Sequence, residues 1–162
     1  MDNLKDVYLD QLKDLHSANA QALEATRKMA AAASSDGLRR ALEAGVKGIE
    51  DGNRHLEQIL SGHGNEAAGE ICKGMEGLVR EARTHALKED FSVDAARDAV
   101  IITQYQRMAH YAIAGYGSAA AFARQLGLND DARTLGGMLD AAYSGDRTMT
   151  GLAEGGINEA AS

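Results

Sequence analysis

Apolar residues recur at helical spacing along nearly the whole chain. In the first segment Leu4, Tyr8, Leu12, Leu15, Ala22, Met29 and Ala33 lie three, four or seven positions apart, the spacing that puts side chains on one face of an α-helix. The pattern predicts a first helix over about residues 2–33. Ser34-Ser35-Asp36-Gly37 interrupts it. A Ser or Asp oxygen at that point can accept from the first free backbone N–H groups of a following helix. A second stripe, Leu38, Ala41, Leu42, Val46, Ile49, Leu56, Ile59 and Leu60, predicts a helix over about 36–60, and Ser61-Gly62-His63-Gly64-Asn65 then reads as a loop.

Ile71, Met75, Leu78, Val79 and Ala82 predict a shorter amphipathic helix over about 67–85, a crossover between two helical hairpins. Ser92 or Asp94 is placed to cap a fourth helix over about 93–126. Its apolar set runs from Ala95, Ala99, Ile102 and Tyr105 through Ala109, Ala112, Ile113, Tyr116 and Phe122, with Gly127 as its stop. A fifth helix over about 130–154 carries Leu135, Met138, Leu139, Ala142, Met149 and Leu152, and the tail after Gly155 is expected to fray. Four long amphipathic helices and one short one predict an all-α fold, a four-helix bundle with an additional crossover helix, in one domain over residues 1–162.

Composition agrees with that reading. The 162 residues contain no proline, so no position loses a backbone donor to a ring, and the length suffices for one continuous core. Cys72 is the only cysteine and has no intrachain partner, and Met1 is followed by a charged amphipathic stretch instead of an apolar leader. The expected compartment is the cytoplasm. No apolar run approaches the roughly 20 residues that cross a bilayer, so no membrane span is expected. A net charge of −7, spread along the chain, excludes the clustered cations of a nucleic-acid footprint.

Several short motifs in order carry a resemblance. Asp14-Leu15 with Ala18 and Gln21, and Leu56-Glu57-Gln58-Ile59, stand in the first two helices. Cys72-Lys73-Gly74-Met75-Glu76-Gly77-Leu78 with Glu81 follows, then His110-Tyr111, Ile113-Ala114, Tyr116-Gly117 and Leu126-Gly127-Leu128. With these the chain resembles, over nearly its whole length, the ferritin-like bacterial stress proteins typified by YciE and YciF. The resemblance implies a ferritin-like bundle with a di-metal centre and ferroxidase or peroxide-scavenging chemistry. The ligand positions depart from the family's pattern. Asn19 stands where that pattern has Glu, and Gly45, Gly48 and Gly52 stand where it has His, Glu and Gln. Ala109 and Ala112 replace two further Glu residues, and Ala141 and Ala142 replace a Glu pair.

The residues themselves point the same way. Asn19, Gly45, Gly48, Gly52, Ala109, Ala112 and Ala142 lie on or beside the apolar stripes and should face inward. A di-iron bundle needs about four carboxylates and two imidazoles projecting into one layer; this layer is small and nearly apolar, so no metal cofactor is expected. Asn19 reads as a hydrogen-bonded core amide, because a buried amide must find partners. Three glycines on one helix call for the close approach of a neighbouring backbone or ring, or for a cavity that admits a ligand. Tyr105, Tyr111 and Tyr116 are the bulky groups available to fill the space.

Glu81 and His110, with Asn19, make a possible residual polar site. For iron or manganese, the alternative cofactors, it would need Asp140 or Asp146 to converge with them. His55 reads as part of a solvated face, and Cys72 as a small buried residue or, beside Lys73 and Arg80, a reactive thiol. Nucleotide loops, hydrolase elbows and zinc spacings are absent. The expected function is that of a non-catalytic, stress-associated bundle acting by self-association, as a homodimer, or by binding a protein partner. Residual metal-dependent oxidation is one alternative, and binding of a small apolar ligand in the emptied layer is another.

Overall fold

The computed structural model describes residues 1–162, and its backbone hydrogen bonds form helices without strands. Helix α1 spans Leu4–Ala32, α2 Asp36–Gly62, α3 Lys73–Ala82, α4 Asp94–Gln125 and α5 Asn129–Leu152. A π-helical turn over Arg83–Lys88 extends α3, and another over Ala153–Ile157 extends α5 into a last helical turn, Asn158–Ala160. The hairpins α1–α2 and α4–α5 pack side by side, α1 on α4 and α2 on α5, while α3 lies across α1 and α4. No helix is long and apolar enough to cross a membrane.

The predicted stops account for most helix ends. The Ser35 hydroxyl accepts from the Leu38 N–H at 3.3 Å, and Gly127 closes α4 with φ at 72° while Leu128 N–H reaches the Ala123 carbonyl at 2.9 Å. At the start of α4, however, neither Ser92 nor Asp94 is the cap. Val93 holds that position without a side-chain bond, and Asp94 falls in the first turn, where its charge suits the helix dipole.

Two boundaries differ for physical reasons. Helix α3 begins at Lys73, not near residue 67, because the strap before it is tied to α1. Ser17 Oγ accepts from the Cys72 N–H at 2.9 Å, and Gln21 Nε2 donates to the Cys72 carbonyl at 3.1 Å. The tail beyond Gly155 does not fray: Gly156, at φ 138°, bends the chain so that Ile157 is buried in the core.

The core has two parts. At the end where α1 turns into α2, Met29, Leu38, Leu42, Ile101, Met108 and Met149 pack together. At the other end Tyr8, Leu12, Leu15, Leu56, Leu60 and Leu135 do so. Between them lies the level of Asn19, where α2 meets two aromatic rings. A Cβ on Gly45 would stand 2.6 Å from the Tyr105 hydroxyl, and one on Gly52 3.0 Å from the Tyr116 hydroxyl. Gly48 is different: it is exposed, and a Cβ there would meet nothing within 4 Å. Seven residues are close to two turns, so Gly45 and Gly52 share one line along α2, while Gly48 is rotated from it by roughly 60°.

Asp98 fixes the α1–α2 turn. It is 2% exposed, and its carboxylate accepts from the Ser34 N–H at 2.9 Å, the Ser34 hydroxyl at 2.7 Å and the Ser35 N–H at 2.8 Å. Removing it takes the shared acceptor from three donors of the turn and empties a buried position, so Asp98→Ala should lower stability in urea by about 2 to 4 kcal/mol. Among the α2 glycines, Gly48→Ala should raise stability by about 1 kcal/mol, the helix-propensity gain with no clash. Gly45→Ala should lower it, since the Tyr105 ring must move. Thermal melts of the two variants check the opposite signs.

Candidate functional site

The level between the two core parts is a cavity of about 640 Å³, open along the seam of α2 and α5 and floored by α1 and α4. All seven positions singled out in the sequence, Asn19, Gly45, Gly48, Gly52, Ala109, Ala112 and Ala142, line it. They do not pack against one another, as small residues closing a layer would. The Tyr105 and Tyr116 rings, seated on Gly45 and Gly52, leave the helices apart. A closed dry void of this volume would cost on the order of 15 kcal/mol, comparable to the whole stability of a domain, so the space has to be open to water or filled. Its volume lies within the roughly 300–1,000 Å³ usual for small-molecule sites.

The walls are largely apolar, with Asn19, Tyr105 and Tyr116 set among them and the hydroxyls of Thr26, Thr134, Ser144 and Thr148 elsewhere in the lining. Asn19 is 4% exposed, and its Nδ2 donates to the Tyr116 hydroxyl at 2.6 Å. Tyr116 is 5% exposed; burial pushes its phenol above the ordinary value and the Asn19 hydrogen bond opposes this only in part. Tyr105 lies along the same wall, where burial, then the charge of Asp146, raises its phenol as well. Both rings therefore carry neutral O–H groups at physiological pH. The charged residues of the lining, Asp51 and Arg133, are at the rim and bonded to their own neighbours, Arg54 and Asp130. His55 stands there too, exposed on α2.

The other predicted residues do not converge on this site. Glu81 pairs with His85 at 3.4 Å on the α3 surface. His110 is exposed and pairs with Asp146 at 3.1 Å, so of the residues weighed as a residual polar site only these two meet, without Glu81 or Asn19. Tyr111 does not fill the layer. It stands against Gly74, bonded to the Cys72 thiol at 2.9 Å and donating to Asp14 at 2.8 Å. Cys72 itself is buried at the start of α3, and burial raises its thiol above the ordinary value, the opposite of what a reactive cysteine needs.

The donor set does not fit the metal pair that the ferritin-like resemblance implies. No group of three or more His, Cys, Asp or Glu side chains is arranged so that it could hold a metal ion. Asn19, the one polar residue among those seven positions, donates to Tyr116.

Sequence reasoning reached only Ala141 and Ala142 of the α5 wall. Gly137, Ala141 and Gly145 recur every four residues on α5, joined by Ser144 and Thr148. A stripe of small residues is the available signal, but a search for large apolar positions passes over it.

The profile of the family described as Domain of unknown function (DUF892) matches residues 3–162. Protein YciF of Escherichia coli strain K12 is 32% identical over 162 residues, 99% of this chain and 96% of that protein. The crystal structure of the E. coli stress protein YciF superposes with a TM-score of 0.90 at 31% identity, covering 98% of this chain and 99% of the other. YcfI from Rhodopseudomonas palustris, described as a candidate structural protein, gives 0.87 at 27% identity over 93% and 94% of the two chains. Matched along its whole bundle, the chain belongs to the DUF892 family, as a relative of the stress protein YciF in which glycine, alanine and Asn19 form a cavity.

Proposed function

We propose that this protein is a non-catalytic member of its family that acts by binding, and that it holds a small, largely apolar molecule in the layer between its two core parts. The observation that carries this reading is the cavity of about 640 Å³ at the level of Asn19. It gathers apolar surface in one concave place, as small-molecule sites do. The large apolar side chains left on the outside, Met1, Val7, Ile71, Val93 and Tyr143, are scattered over the terminus, the connections and two helices. That distribution favours a ligand over self-association through an outer face. A stress role comes from the description of YciF, and it fits a protein that binds without catalysing.

Titration with N-phenyl-1-naphthylamine, a neutral fluorescent probe, tests the reading. Saturable binding at one probe per chain is expected. Ala109→Leu combined with Ala142→Leu should abolish it while raising the melting temperature, because the added methyl groups enter free space, at about 0.8 kcal/mol per buried methylene. Probe binding that persists undiminished in the filled and more stable variant would contradict the reading.

A further inference from the structure

The polar groups in the cavity specify more than apolarity. In the Asn19–Tyr116 pair a single hydrogen bond joins two side chains that are each more than nine-tenths buried. A carboxamide has two donor hydrogens and an acceptor oxygen, and a phenol has one donor and an acceptor oxygen. With Nδ2 donating to the phenol, the Asn19 carbonyl oxygen is left as an acceptor and the Tyr116 O–H as a donor. With the amide turned over, the spare donor moves to Asn19 and the spare acceptor to Tyr116. Counting the amide's second N–H, either orientation presents at least one of each to the same space.

No charge accompanies them. The ionised residues of the lining stand at the rim and are engaged with their own neighbours. A carboxylate or ammonium carried down to Asn19 would be desolvated without a counter-charge, a cost that outweighs hydrogen bonds to neutral groups. A hydroxyl meets both requirements, since it is neutral and both gives and takes a hydrogen bond. We propose that the ligand is a neutral hydrocarbon alcohol or phenol, its hydroxyl bridging the spare donor and acceptor of Asn19 and Tyr116 and its hydrocarbon body lying along the Ala109–Ala142 wall. This inference rests on the ligand-binding reading above and narrows it to one chemical class.

Three probes that share a hydrocarbon body separate the possibilities: 4-hexylphenol, hexylbenzene and 4-hexylbenzoate, each titrated calorimetrically into the full-length protein. The phenol is expected to bind at least tenfold more tightly than either of the others. Asn19→Leu with Tyr116→Phe removes both partners at once and leaves no buried group unpaired, so the variant should fold. In it the phenol should lose its advantage while hexylbenzene binds as before. Equal binding of all three probes to the unaltered protein would overturn the hydroxyl assignment and leave the cavity reading standing. So would tightest binding of the benzoate, or a phenol preference that survives in the double variant. No saturable binding by any of the three would overturn both.

Discussion

Four helices of a bundle can be packed tightly at a given level only if their side chains together fill the space between the axes, and at one level of this protein they do not. Apart from two tyrosines, the residues at the centre of that level are mostly glycine and alanine with Asn19, bordered by methionines and small hydroxyl residues. The rings stand on Gly45 and Gly52 and so act as spacers. The helices keep a spacing that these small side chains do not span, and the result is a cavity. The fold, the divided core and the proposed function all depend on that mismatch between the spacing of the helices and the size of the residues between them.

The two ends of the bundle explain how such a middle is tolerated. At one end Asp98 binds the turn between α1 and α2 through three hydrogen bonds. At the other Asp131 accepts from Tyr8 at 2.9 Å and meets His63 at 2.7 Å, while Lys5 reaches the second ring nitrogen of that histidine at 2.8 Å. These contacts join the beginning of α1, the end of α2 and the beginning of α5. Each is near a tightly packed apolar cluster, so the cost of an under-packed level is met by order on both sides of it.

The fold was largely legible in the sequence, because long helices with a regular apolar stripe and no proline leave few alternatives. The small residues of the middle level were legible too, since Asn19, Gly52 and Ala109 fall on those stripes. What they would form was not. Whether small residues close a layer or leave it open depends on the distance between helix axes, which no spacing of residues reveals. Cys72 and Ile157 show the same limit in the backbone: the Ser17 hydroxyl takes the Cys72 N–H that would have extended α3 forward, and one apolar residue beyond a glycine anchors the tail. Asp98 was overlooked because an acidic residue in an amphipathic helix reads as solvated until its three partners, more than sixty residues earlier, are placed beside it.

Xenon enters apolar cavities and is seen directly in diffraction. A crystal structure of the unaltered protein under xenon pressure therefore bears most directly on the central claim. The account predicts xenon within the space bounded by Asn19, Gly52, Ala109 and Ala142, with α2 and α5 apart. Helices closed onto each other at that level, with no room for a xenon atom, would contradict it.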